Sequence, residues 1–221
     1  MSLVSRGYSG GQQSRWFLID DKTVDKALSL PLIALALVSL VQSFLVANPM
    51  IRAQLLFSVP LNLLAAYSLW IRRPALEPTY MSEVMVPAVS LVMPFLVLNQ
   101  GLVFGIPYSI PGLFPIALIG IALAFASLLF LKRSFAVLPT VRGVVKGGPY
   151  GIIRHPLYLG EALYVFGAMM IGFSAVSLLL FAITMVLMLA RIDMEERKMS
   201  TQADYRDYSL RVKYRLLPYI Y

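Results

Sequence analysis

Four apolar stretches, at about 28–47, 51–71, 82–104 and 111–131, constrain this sequence more than any other feature. Each is close to the roughly 20 residues that a helix needs to cross the hydrocarbon core of a bilayer. A further apolar run, 157–190, is interrupted only by Gly172, Phe173 and Ser174, which reads as a tight helical hairpin. Of the 221 residues, 59% are hydrophobic and 14% charged, more apolar side chain than a water-soluble fold of this length can cover. The expectation is an all-α, polytopic integral membrane bundle of about six transmembrane helices, ending in a C-terminal hairpin with a polar pocket on the cytoplasmic side.

The organisation follows from where this pattern breaks. Residues 1–26 are polar, with Gly7, Gly10, Gly11 and Ser14 followed by Asp20, Asp21, Lys22 and Asp25, and read as a cytoplasmic segment. The first apolar run comes too late and is too long for a cleaved signal peptide, so it reads as a retained helix. Residues 27–221 then form one membrane domain, with a four-helix part over 27–131 and a loop, hairpin and tail over 132–221. Pro60, Pro87 and Pro94 fall inside apolar runs, where neighbouring helices satisfy the carbonyls a proline frees; they are expected to kink their helices. The alternative, broken helices forming a transport site, calls for repeated halves, and nothing in this sequence repeats.

Lysine and arginine in the short loops set the orientation. With the N-terminus in the cytoplasm, one side of the membrane receives Arg6, Arg15, Lys22 and Lys26, then Arg72 and Arg73, then Lys132, Arg133, Arg142, Lys146 and Arg154, and the basic tail; the other receives Arg52. This predicts both termini in the cytoplasm. The net charge of +8 lies beside apolar spans and does not form a soluble basic face, which argues against nucleic acid as a partner. The absence of cysteine excludes disulfides, thiolate metal sites and a cysteine nucleophile. His155 is the single histidine, so no multi-histidine metal site can form.

The chemistry concentrates in Gly148-Pro149-Tyr150-Gly151-Ile152-Ile153-Arg154-His155-Pro156-Leu157-Tyr158-Leu159-Gly160. Pro156 suits the first position of a helix, where its missing N–H costs nothing; His155 then caps the helix and Arg154 lies just outside. The N–H groups of such a first turn suit an anionic group, and Gly148, Gly151 and Gly160 would let a ligand approach the backbone. A second cluster, Arg191, Asp193, Glu195 and Glu196, ends the hairpin's return helix, with Arg191 and Glu195 four residues apart on one face. The hairpin should bring this cluster opposite Arg154, His155 and Tyr158.

The GPYGIIRHPLYLG string, the hairpin, RIDMEER, the pair Tyr205 and Tyr208 in YRDY, and Leu217-Pro218 together resemble the C-terminal half of the isoprenylcysteine carboxyl methyltransferase family, with related patterns in phospholipid N-methyltransferases and small-thiol methyltransferases. The likeness runs over 144–218; the preceding helices match only in character. The resemblance implies S-adenosyl-L-methionine as cofactor, held by Tyr150, Arg154, His155, Tyr158, Leu159, Gly160 and Glu196, with Arg191 and Glu195 nearest the methyl-transfer end as catalytic residues. It implies an amphiphilic acceptor taken from the lipid bilayer, with methylation of an isoprenylcysteine carboxylate first, and a phospholipid amine or a small thiol as alternatives. One departure stands out. Where the family has a Phe-Gly pair before its paired tyrosines, this chain has Gln202-Ala203-Asp204 in a shortened connection.

Plainer readings exist for each residue. His155 alone could be a capping residue, Glu161 a complement to the helix dipole, and Glu195, Glu196, Arg197 and Lys198 a solvated helix end. In the tail, Leu210, Val212, Tyr214 and Leu216 alternate with Arg211, Lys213 and Arg215, as expected of an extended segment lying on an anionic leaflet. Small residues around Gly120, Ala122, Ala124 and Ala126 would let helices pack closely. The rival from another class is a transporter or channel, against which the first four apolar runs carry almost no ionisable residue.

Overall fold

The computed structural model describes residues 18–19, 21–73, 79–80, 83–99, 114–140 and 143–218. Most of the polar segment 1–26, together with Arg142 and the end of the third apolar run, lies outside the described residues. Seven α-helices are described: α1 (Asp21–Leu45), α2 (Pro49–Ile71), α3 (Met85–Leu98), α4 (Phe114–Leu131), α5 (Pro156–Ile171), α6 (Ala175–Met199) and α7 (Ala203–Arg211). A two-residue pairing joins Leu18–Ile19 antiparallel to Thr79–Tyr80.

Four helical segments, Lys26–Leu45, Pro49–Ile71, Phe114–Ser134 and Ala175–Met199, are long and apolar enough to cross a membrane, while Met85–Val97 and Pro156–Ile171 are shorter. The 16 residues of α5 rise about 24 Å at 1.5 Å each, somewhat less than the roughly 30 Å hydrocarbon core. Local chemistry sets these ends. Asn48 caps α2, its side chain accepting from the backbone N–H of Met50 and Ile51. Ser174 and Ser177 close a reciprocal capping box at the start of α6. Pro156 opens α5 and Gly172 follows its last residue, so the hairpin turn falls at the expected Gly172-Phe173-Ser174. Helix α1 begins at Asp21, inside the segment read as polar and cytoplasmic. It continues through Pro31, α2 through Pro60 and α3 through Pro94, whereas Pro87 stands in the first turn of α3.

The closest helix pair is α4 with α5, and the small residues explain it. A Cβ built on Gly160 would lie 2.5 Å from the backbone nitrogen of Ala124, one on Gly120 would lie 2.3 Å from that of Tyr164, and one on Gly167 would lie 2.6 Å from that of Ala117. The two backbones therefore touch with no side chain between them, as at close membrane helix crossings. Helix α1 packs along α2, α2 against α4, and α6 chiefly against α3. The core gathers Leu32, Leu69, Leu128, Phe135 and Val137 at one end, with Val97, Val165 and Met169 in another cluster. Large apolar side chains such as Phe44, Leu45, Trp70 and Val186 stay exposed, as lipid-facing residues do.

Candidate functional site

The site is built on the entry to α5. Gly148 has φ +59 and a Cβ there would meet the Phe130 ring at 2.4 Å, so only glycine fits this turn. The turn buries Tyr150, whose carbonyl accepts a hydrogen bond from the Tyr208 hydroxyl at 2.7 Å. His155 is the N-cap of α5, as expected, but its side chain makes no capping bond. The tail docks just ahead of the helix: the Arg154 N–H donates to the Tyr214 carbonyl and the His155 N–H to the Arg215 carbonyl, both at 2.9 Å.

The return helix α6 brings its acidic pair onto this turn. Glu196 is buried and lies within ion-pair distance of three basic side chains: Arg154 Nε at 2.9 Å, His155 Nε2 at 3.0 Å and Arg215 Nε at 2.8 Å. Glu195 accepts a hydrogen bond from the Tyr158 hydroxyl. The Arg191 guanidinium lies over the Tyr158 ring, 4.9 Å from its centroid, and Nη2 donates to the Val137 carbonyl at 3.4 Å. Arg191 is 8% exposed, and its Nε–H meets no acceptor among the described residues. A solvated helix end is the wrong description of Glu196. It fits Asp193 and Arg197, which pair with each other at the surface. Lys198 binds Glu83 at 2.6 Å, tying α6 to the segment before α3.

Two cavities open on either side of this cluster. One, about 780 Å³ of empty space including its mouth, is lined by Tyr150, Arg154, His155, Arg191, Glu195 and the paired Tyr205 and Tyr208, among others. The other, about 940 Å³, runs between the apolar helices along Leu32, Leu61, Leu91 and Phe95 and contains Glu161 and Tyr164. Phe135, Leu157, Tyr158 and Arg191 line both. The two cavities share a wall at Tyr158 and Arg191.

Of the residues singled out in sequence, Tyr150, Arg154, His155, Tyr158, Arg191 and Glu195 line the first cavity. Glu196 stands behind them, holding Arg154 and His155. Leu159 and Gly160 are absent from the lining. Leu159 packs against Tyr158, Met188, Ile192 and Leu216, and Gly160 faces α4, so its lack of a side chain serves helix packing. Gly148 likewise faces Phe130. The tail also departs from the extended form expected of it: Leu210 is still helical and 73% exposed, while Val212 and Leu216 are buried against the protein. Two contributors went unread: Arg215 completes the ring around Glu196, and Val137 supplies a carbonyl to Arg191. Tyr205 and Tyr208, quoted as a motif, prove to be cavity walls. The paired tyrosines were a usable signal; Arg215 sat in an alternating run that pointed elsewhere.

Burial sets the state of the phenols. It pushes the Tyr150 hydroxyl well above its ordinary range, reinforced by Glu195 and Tyr208. It likewise raises Tyr205, beside Glu196, and brings Tyr208 up to about 12. All three therefore remain neutral donors near neutral pH. The Tyr150 and Tyr205 hydroxyls are buried and make no hydrogen bond of acceptable geometry among the described residues, although Ser127 and Glu196 lie near them.

Fold and site together define a helical membrane protein with a polar cavity and an apolar one that share a wall. Residues 113–201 match the model of the isoprenylcysteine carboxyl methyltransferase (ICMT) family, the family that the sequence motifs resemble. The match takes in α4, which had resembled the family only in character, and stops short of Tyr205, Tyr208 and Leu217-Pro218. No curated protein matches the chain.

Proposed function

We propose that the protein is an S-adenosylmethionine-dependent methyltransferase that takes an amphiphilic acceptor from the bilayer. The observation that carries this is that a polar and an apolar cavity share Tyr158 and Arg191 as wall residues, within a segment matched to the ICMT family. The donor set of the polar cavity fits the cofactor: aromatic walls at Tyr150, Tyr205 and Tyr208 suit an adenosyl group, the two phenols without bonds of good geometry await acceptor atoms, and Arg154 and His155 suit a carboxylate. Tyr150, Arg154, His155 and Tyr158 would hold it directly, with Glu196 positioning Arg154 and His155. Bound there, the cofactor supplies an electrophilic methyl group on a sulfonium.

The chain's own residues supply alignment and exclusion of water, the main tasks in an in-line displacement. Arg191, with a buried Nε–H that lacks an acceptor, would orient the oxygen of a carboxylate acceptor such as isoprenylcysteine, which needs no base. An amine or thiol acceptor must lose a proton, and Glu195 would take it. Glu161 favours the amine as a second reading, because it sets a carboxylate in the apolar cavity, where a cationic headgroup would be drawn. The loop charges support six crossings with both termini and the polar cavity on the cytoplasmic side; reporter fusions after Met50 and near Ile106 should behave as external, and those after Arg73 and Val141 as internal.

Calorimetry of S-adenosylmethionine binding to the purified protein tests the reading, followed by transfer of labelled methyl to a prenylcysteine and to a phospholipid amine. Absence of cofactor binding sinks the enzyme reading. Transfer to the amine that is lost in Glu161→Gln, with none to the prenylcysteine, selects the second.

A further inference from the structure

A second polar feature lies on the membrane boundary, away from both cavities of the candidate site. The candidate spans that begin at Lys26 and end at Ile71 and Ser134 converge there on a groove lined by Lys26, Tyr67, Trp70, Arg72 and Arg133. Among the described residues, every charged side chain lining it is basic. The geometry is held in place: Arg133 Nε donates to the Ile71 carbonyl at 2.8 Å, the Arg73 N–H donates to the Arg133 carbonyl at 2.9 Å, and Trp70 Nε1 donates to Ser29 Oγ at 2.9 Å. Lys26 Nζ stands 5.7 Å from the Trp70 ring centroid. Arg133 thus complements the carbonyl end of α2, where a cation is favoured, and its charge is kept beside the groove.

We infer that this groove binds the phosphate headgroup of an anionic glycerophospholipid. Basic residues at a membrane surface attract anionic lipid, and tryptophan and tyrosine settle at headgroup depth; here both occur on one short stretch of helix. The exposed face of α2 extends the site into the hydrocarbon. Leu56, Leu63, Tyr67 and Trp70 are 42%, 46%, 59% and 58% exposed and fall on one side of the helix by its period, giving acyl chains an apolar track that leads from the basic groove. A soluble phosphate would use the cations and leave that track uncovered, which favours the lipid as occupant. The inference does not rest on the proposed methyl transfer, since none of these residues lines either cavity.

Trp70 is itself the reporter. The chain has two tryptophans, so Trp16→Phe leaves Trp70 alone. That protein, reconstituted in phosphatidylcholine vesicles with phosphatidylglycerol, is titrated with bromine-labelled chains on one lipid or the other, and fluorescence quenching gives the relative binding of the two lipids at Trp70. One basic residue at an anionic surface is worth roughly a fivefold preference, so phosphatidylglycerol should be favoured at least several-fold. Lys26→Gln with Arg133→Gln should bring the ratio close to one, Lys26→Gln alone should lower it part of the way, and Arg133→Lys, which keeps the charge, should preserve it. A ratio of one in the parent protein overturns the inference, as does a ratio that the paired substitution leaves unchanged. Loss of the preference on adding inorganic phosphate at matched ionic strength also overturns it, since the groove would then read a free anion.

Discussion

Replacing Glu196 with glutamine changes one atom at the point where three basic groups converge. The carboxylate meets Arg154 at 2.9 Å, His155 at 3.0 Å and Arg215 at 2.8 Å, with its side chain 9% exposed. At an effective dielectric near 20, a unit charge pair at that separation is worth about 6 kcal/mol before desolvation is subtracted. Breaking a buried pair leaves a net cost of about 3–5 kcal/mol. Glutamine retains one acceptor oxygen, and Arg215 is 31% exposed and screened by water, so the expected loss is about 2–4 kcal/mol. Two events share it. Arg215 loses its anchor, so the tail should be cut sooner by protease. Arg154 and His155 lose their alignment, so S-adenosylmethionine affinity measured by calorimetry should fall about tenfold, equivalent to about 1.4 kcal/mol. Arg215→Gln should do less, and the double variant should fall short of the sum of the two, because the residues touch. A Glu196→Gln protein with parental cofactor affinity and a parental tail-cleavage rate would refute the reasoning, because the three contacts would then contribute nothing to the site.

Further outcomes are expected elsewhere. Gly160→Leu should force α4 and α5 apart and destabilise the fold by about 1–3 kcal/mol or more, read as a lower thermal transition, whereas Gly151→Ala, whose nearest neighbour would be 3.5 Å away, should leave it unchanged. Arg191→Ala and Glu195→Gln should lower turnover while holding cofactor affinity within a few fold, because groups acting in the transition state affect rate more than ground-state binding; a parental rate in both variants removes them from the mechanism. Tyr208→Phe leaves the Tyr150 carbonyl without its donor and should cost about 1–2 kcal/mol. With the Tyr208 phenol held at about 12 against an ordinary 10.0, the neutral form is the one the fold favours. Its contribution is therefore whole below pH 10.0, is lost between there and about 12, and predicts no titration of stability from this residue between neutrality and pH 10.0.

Features carried by a run or a local motif were legible in the sequence. The long apolar stretches, the turn at Gly172, the start of α5 at Pro156 and the meeting of the acidic pair with the RHPLY turn follow from hydropathy, proline chemistry and helical spacing. Long-range roles were harder to see. Gly160 lies in a motif rich in ligand contacts, yet its surroundings are decided by α4, more than thirty residues earlier in the chain. Glu196 and Glu195 are adjacent in sequence, but rotation about the helix sends one to Arg154, His155 and Arg215 and the other to a tyrosine. The tail misled most, because alternation of apolar and basic residues describes a strand on a membrane and equally a segment wrapped over protein, and only the backbone bonds of Tyr214 and Arg215 to the start of α5 decide between them.

Those two bonds bear on the order in which the molecule is made. The amides of Arg154 and His155 reach the membrane surface with the hairpin, but the carbonyls they bind belong to residues translated after α6 and α7 are complete. Until then water must serve these amides, and Glu196 has two of its three partners. Insertion of the helices and closure of the polar cavity are thus separate events, the first governed by hydropathy and the second by a short stretch of polar chain. A nascent protein can be fully seated in its membrane while its site is still open.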